Sequence, residues 1–151
     1  GLAVVTASES NRPMGQGAAK IKPELKLSDV SVADYSGLLL PALAVGLVAP
    51  VSPKLIKILR PAAALKIPVA AQHGSVVVLQ RSGVLKKKKY AFERPVFAEG
   101  EYAGTGVIRD GSIVTSGTCP HLARETGRPD GTEILIRRFV EAIADYRGGI
   151  T

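Results

Sequence analysis

The hydrophobic and polar positions divide the chain into short apolar runs separated by turn residues. Leu2 to Thr6 (LAVVT) carries no charge and predicts a short buried strand. Ser8 to Gly17 is polar and glycine-bearing and predicts a loop. Ala19 to Leu27 alternates loosely, as in an exposed hairpin or edge strand, and Pro23 argues against a central one. Ser31 to Tyr35 reads as a turn, and Gly37 to Leu40 as a short parallel core strand, apolar on both faces.

Ser52-Pro53 predicts a helix start, with serine as N-cap and proline in the first turn. Leu55, Ile56 and Leu59 follow at helical spacing; Pro61 is expected to disturb this helix, with Ala62 to Leu65 continuing after a kink. Ile67 to Ala71 predicts the next buried strand, Gln72-His73-Gly74 a sharp turn, and Ser75 to Arg81 a helix closed by Gly83. Lys89 to Phe92 predicts a strand. Gly106 to Arg109 and Ser112 to Thr115 predict two more, around the hairpin signal Asp110-Gly111. Thr132 to Tyr146 predicts a long amphipathic helix with Ile134, Leu135, Phe139, Ile143 and Tyr146 on one face. Strands alternating with helices at these lengths predict a three-layer α/β domain with a mainly parallel sheet. The 151 residues suit one domain, and no internal repeat is visible.

Composition narrows the function classes. The chain is 46% hydrophobic and can bury a sizeable core. No run of about 18 apolar residues is free of charge or proline, so no transmembrane helix is expected. The longest apolar run, Gly37 to Val51, is interrupted by Pro41 and Pro50. The N-terminus lacks the basic region of a signal peptide, and there is no initiator Met. The lone Cys119 excludes an intrachain disulfide and a multi-cysteine zinc site, and fits a reducing, cytoplasmic setting. No metal-ligand spacing appears, and Gly104-Thr105-Gly106 is too weak a signal for a phosphate loop, so no cofactor is expected. Of the net charge of +7, part sits in Lys86-Lys87-Lys88-Lys89. No aromatic residues interleave with these lysines, so a solvated turn is expected rather than a nucleic-acid site.

The segment from Ile67 to Gly83 carries the most chemical information. An apolar strand runs through Gln72-His73-Gly74 directly into an apolar helix, which is the layout of a nucleophile elbow. The apex residue of such an elbow is strained, sits above the carboxyl edge of the strand and faces the positive end of the following helix. Gly74 is expected where the chain turns too tightly for a side chain.

Ala70-Ala71-Gln72-His73-Gly74, followed by Ser82-Gly83-Val84-Leu85, resembles the ThiJ/PfpI family pattern Ala-Ile-Cys-His-Gly followed by Ala-Gly-Val-Leu. Asp34-Tyr35-Ser36-Gly37-Leu38-Leu39-Leu40-Pro41 is similar to Asp-Tyr-Asp-Ala-Leu-Val-Leu-Pro-Gly-Gly, and Asp110 to Ser116 (DGSIVTS) to Asp-Gly-Asn-Ile-Ile-Thr-Ser. The resemblance implies a flavodoxin-like fold, with helices on both faces of the sheet. It also implies a homo-oligomer and a small carbonyl or peptide ligand, because the family contains intracellular peptidases, glyoxalases and parkinsonism-associated deglycases.

Three departures from the pattern bear on function. The resemblance places the family's nucleophilic cysteine at Gln72, whose amide neither attacks nor titrates near neutral pH. His73 then has no neighbouring thiol to activate, and a structural role is expected for it. The Gly-Gly after the family's strand is here Ala42-Leu43, which would narrow the oxyanion hole that those N–H groups help to form. Leu2 to Thr6 matches the family's second strand, so about 30 residues, one strand–helix unit with its acidic loop, are expected to be missing ahead of it. Cys119, with His121 two residues on, is the other candidate thiol, although residues so spaced rarely face each other and no acidic orienter is evident. Ser75 is expected to cap the helix after the elbow. Two readings follow: a binding, chaperone-like or scaffold protein without the family's thiol chemistry, or an active family hydrolase in which position 72 is altered or Cys119 serves as the thiol.

Overall fold

The computed structural model describes residues 1–10, 20–43 and 50–149. The expected loop over Ser8 to Gly17, the start of the Ala19 to Leu27 segment and much of the apolar run after Leu43 therefore lie largely outside the described residues. Strand β1 is Ala7–Ser8 and pairs in parallel with β2, Leu25–Lys26. The predicted strand over Leu2 to Thr6 is not formed. Leu2, Val4 and Val5 are exposed and find no partner strand among the described residues, and an unpaired ladder gains nothing from apolar side chains. A single-turn 3₁₀ helix, Val32–Asp34, occupies the predicted turn of Ser31 to Tyr35, and another, Leu27–Asp29, precedes it. Then come β3 (Leu38–Leu40), α1 (Pro53–Ala64), β4 (Val69–Gln72) and α2 (Gly74–Arg81). The chain continues through β5 (Lys89–Tyr90), β6 (Glu101–Tyr102), β7 (Val107–Asp110) and β8 (Ile113–Ser116), and ends in α3 (Pro120–Thr126) and α4 (Thr132–Arg147).

Ser52 caps α1 as expected, its hydroxyl accepting from the Lys54 N–H at 3.3 Å. Pro61 does not end the helix, which runs through it to Ala64. Gly83, with φ of +80°, closes α2. The lysine run is a turn entering β5: Lys88 Nζ lies 3.6 Å from Asp110 and Lys89 Nζ 3.9 Å from Glu101.

The main sheet has the order β3-β4-β8-β7, with the first three strands parallel and β7 antiparallel to β8. Strand alternation sorts its side chains into two cores. Val69, Ala71 and Ile113 pack with Leu59 and Ala62 of α1 and with Val76 to Leu79 of α2. Ala70 and Val114 point the other way, onto Leu135, Phe139, Ala142 and Ile143 of α4. The result is a three-layer α/β domain of the flavodoxin-like type. Ile134 is the exception to the predicted apolar face of α4: it is 47% exposed, and Ala142 takes the inward place. Among the described residues, no helix is long and apolar enough to cross a membrane.

Candidate active site

The carboxyl ends of β4 and β8 build the site. In β4 the pleat sends every second side chain toward α4, so Gln72 follows Ala70 to that side. There Gln72 Nε2 donates to Thr132 Oγ1 at 2.7 Å, and that hydroxyl donates to Asp130 Oδ1 at 2.7 Å. Asp130 Oδ1 also accepts from the Thr132 N–H at 3.0 Å, satisfying a donor at the start of α4. Gln72 is still a strand residue, paired in register with Ser116 and only 7% exposed.

The strained apex is therefore His73, with φ 44° and ψ −109°, and not Gln72 as the sequence pattern suggested. This corrects the expectation by one residue. Such a conformation costs about 1–3 kcal/mol and persists only where its surroundings fix it. Here the His73 N–H donates to the Ser116 carbonyl at 2.8 Å, and the His73 carbonyl accepts from the Val76 N–H at 2.9 Å. Gly74 is the first residue of α2. Ser75 is not its cap: it lies inside the first turn and donates its hydroxyl to the Pro41 carbonyl, tying α2 to the end of β3. Ala42 and Leu43 follow that carbonyl and are both exposed. The trans peptide turns the Ala42 N–H away from Ser75.

The His73 ring meets Phe92, Glu93 and Cys119. Its ring stacks on Phe92, with centroids 5.8 Å apart. Nε2 lies 3.3 Å from Glu93 Oε2, and Nδ1 lies 3.6 Å from Cys119 Sγ. In the tautomer that carries its proton on Nε2, the Glu93 carboxylate accepts that proton's hydrogen bond and the Nδ1 lone pair faces the thiol. Glu93 is thus an acidic orienter that no sequence signal marked. Cys119 faces His73 and not His121; His121 is exposed on α3 and pairs with Glu125 at 3.2 Å.

Cys119 is held by local geometry that the sequence encodes. It is the N-cap of α3, Pro120 occupies the first turn, and Gly127 ends the helix with φ of +68°. Its Sγ accepts from the Leu122 N–H at 3.5 Å. The chain between β8 and Cys119 is fixed by Ser116 Oγ, which donates to the Thr118 carbonyl at 2.9 Å, and by Thr118 Oγ1, which donates to the Pro129 carbonyl at 3.1 Å. Gly117 is needed there: a Cβ would come within 2.6 Å of the Thr105 carbonyl oxygen and 2.8 Å of that of Phe92. Cys119 is 5% exposed, whereas the His73 side chain is 23% exposed, so the imidazole is the more open face of the pair.

A thiol, a base within reach of it and a carboxylate orienting the base form the arrangement that activates a cysteine nucleophile. Among the described residues, no group of three metal-ligating side chains converges. A depression lined by Lys66, Lys88 and the Gly111–Ser112 turn lies at the opposite edge of the sheet and includes none of these residues.

Known structures share this architecture. A cysteine-to-alanine mutant of a DJ-1 superfamily protein from Salmonella typhimurium superposes with a TM-score of 0.64 at 20% identity, over 93% of this chain and 80% of that one. Oxidized DJ-1 of Toxoplasma gondii gives 0.60 at 26% identity, over 80% and 69% of the two chains. A two-domain protein of Anabaena variabilis, with DJ-1/ThiJ/PfpI-like and ferritin-like domains, gives 0.56 at 18% identity; 70% of this chain is covered, but only 33% of that protein. This chain thus spans about a third of that relative's length. No curated protein matches the chain. The DJ-1/PfpI family model matches residues 1–125, which include the elbow, Glu93 and Cys119. The chain belongs to the DJ-1/PfpI family.

Proposed function

We propose that this protein is a cysteine-dependent hydrolase in which Cys119, rather than the elbow residue, is the nucleophile. The observation that carries the reading is the contact of Cys119 Sγ with His73 Nδ1 at 3.6 Å, while Glu93 holds Nε2. His73 Nδ1 takes the thiol proton as Sγ bonds to the carbonyl carbon of an ester, thioester or activated amide. The carbonyl π electrons move to oxygen. They return as the leaving group departs with the proton from Nδ1. Water, deprotonated by the same nitrogen, then cleaves the thioester and restores the thiol. The Glu93 carboxylate at Nε2 steadies the imidazolium. General-base assistance of this kind contributes about 10²–10⁴-fold.

The substrate belongs to the small carbonyl, acyl or peptide class, and a homo-oligomer and a cytoplasmic setting belong to the same reading. They are supported by the family membership and the single cysteine. A binding or chaperone-like protein without thiol chemistry is favoured by one observation, the burial of Cys119 at 5% exposure. The two readings separate in one assay. Turnover of esters, peptides, glyoxals and glycated amines by the wild type, lost in Cys119→Ser, supports the hydrolase. Turnover equal in both proteins, or absent from both, removes it.

A further inference from the structure

We infer that α4 carries a self-complementary face on which a second copy of this chain docks, the two helices antiparallel across a two-fold axis at Val140. This rests on the homo-oligomer of the reading above and not on its thiol chemistry. Helix α4 buries Leu135, Phe139, Ala142 and Ile143 against the sheet. A second apolar stripe runs beside that buried face. Ile136, Val140 and Ala144 recur every four residues, on one side of the helix, and all three are exposed, Val140 at 43%. Leu39 extends the stripe. It pairs in register with Ala70, so it shares that residue's face toward α4, and it stands 44% exposed on the edge strand of the sheet. Single exposed apolar residues are ordinary, but a continuous row of them marks an interaction surface.

The charges at the ends of the stripe choose the occupant. Glu133 and Arg147 lie equally far before and after Val140, about two helical turns each way, and so on the same side of the helix. A two-fold axis at Val140 that reverses the helix direction sets each Glu133 against the partner's Arg147. It also sets Ile136 against the partner's Ala144, a large side chain against a small one, and Val140 against its own copy. Both charged groups are open to this pairing. Glu133 is almost wholly exposed and meets only the exposed Arg137, a surface pair of little strength. Arg147 donates its Nε–H to Ser36 Oγ at 3.1 Å, and among the described residues no carboxylate pairs with its guanidinium. A copy docked in parallel would oppose Glu133 to Glu133 and Arg147 to Arg147. A partner of a single charge sign would satisfy one end of the stripe and repel the other.

The test places a thiol on the axis. Cys119 is the single cysteine of the chain, so Cys119→Ser gives a background without thiols. Val140→Cys in that background brings the thiols of two copies together. Oxidised glutathione then joins them as a disulfide and is itself reduced to two thiols. Arg138→Cys, exposed on the other side of α4, is the control. The Val140→Cys protein should form a disulfide-linked dimer roughly tenfold or more faster than the control. Sedimentation equilibrium reads the association without any thiol. One helix stripe is a small interface, so the wild type should self-associate reversibly at about 0.1–1 mM. Val140→Glu sets two carboxylates on the axis and should weaken that association about tenfold or more. Glu133→Arg and Arg147→Glu should each weaken it, and the two together should restore it. Equal cross-linking at positions 138 and 140, or self-association unmoved by Val140→Glu and the charge swaps, overturns this surface and leaves the homo-oligomer standing. A wild type that stays monomeric throughout, its face left to a different partner, overturns both.

Discussion

Cys119 Sγ and His73 Nδ1 lie 3.6 Å apart across 46 residues of sequence. Two strand ends bring them together, β4 delivering His73 and β8 leading to Cys119. If the imidazole is the base for this thiol, His73→Ala slows acylation of Cys119 about a hundredfold near neutral pH. Added imidazole should restore part of the rate. A purely structural histidine would give no such rescue, so the pair of measurements separates the two roles.

The apex assignment makes a second prediction. With Cys119 changed to serine, a cysteine introduced as His73→Cys stands at the strained apex, and one introduced as Gln72→Cys points toward α4. The first should react with iodoacetamide roughly tenfold or more faster than the second. Equal rates, or the reverse order, would return the apex to position 72.

Gln72 itself is predicted to act through stability. Its amide links β4 to Thr132 and, through that hydroxyl, to Asp130. Gln72→Ala removes a buried hydrogen bond and should cost about 1–2 kcal/mol, read as a lower urea midpoint. Gly117→Ala should cost more, about 2–3 kcal/mol, because the atoms opposing its Cβ are the backbone carbonyls of Thr105 and Phe92, which cannot swing aside.

Much of the sheet was legible in the chain. β4 and β8 are apolar runs that are buried throughout, and Gly83 and Ser52 mark helix ends by their own chemistry; β3, expected to be covered on both faces, leaves Leu39 exposed, as α4 leaves Ile134. The phase of the elbow was not legible. Whether Gln72 or His73 is the apex depends on where β4 stops, and β4 runs one residue further because Gln72 pairs with Ser116 and finds Thr132. The His73–Cys119 contact is tertiary and has no local signal. Glu93 lies in an irregular segment between β5 and β6, outside any periodic pattern. The helix α3 did leave a trace, since Cys119-Pro120 is a start signal and Gly127 a stop.

Tyr90 gives a pH-dependent prediction independent of the thiol. Burial raises its phenol above the usual value of 10.0, with Tyr102 adding to the rise and a backbone hydrogen bond at Phe97 opposing it. A group raised on folding holds its proton more tightly in the folded chain. Its stabilising contribution is full below pH 10 and is lost as pH climbs through the folded value. Urea midpoints should therefore fall as pH rises past about 10, and Tyr90→Phe should flatten that fall. An unchanged slope in the variant would show that other groups set it.

The most direct test of the central claim is to trap the acyl group. The wild-type protein mixed with p-nitrophenyl acetate should release a stoichiometric burst of p-nitrophenol. Peptide mapping should then place the acetyl group on Cys119, with neither signal in Cys119→Ser. A burst that survives in Cys119→Ser, or a wild-type protein whose Cys119 peptide stays unmodified, would contradict the account.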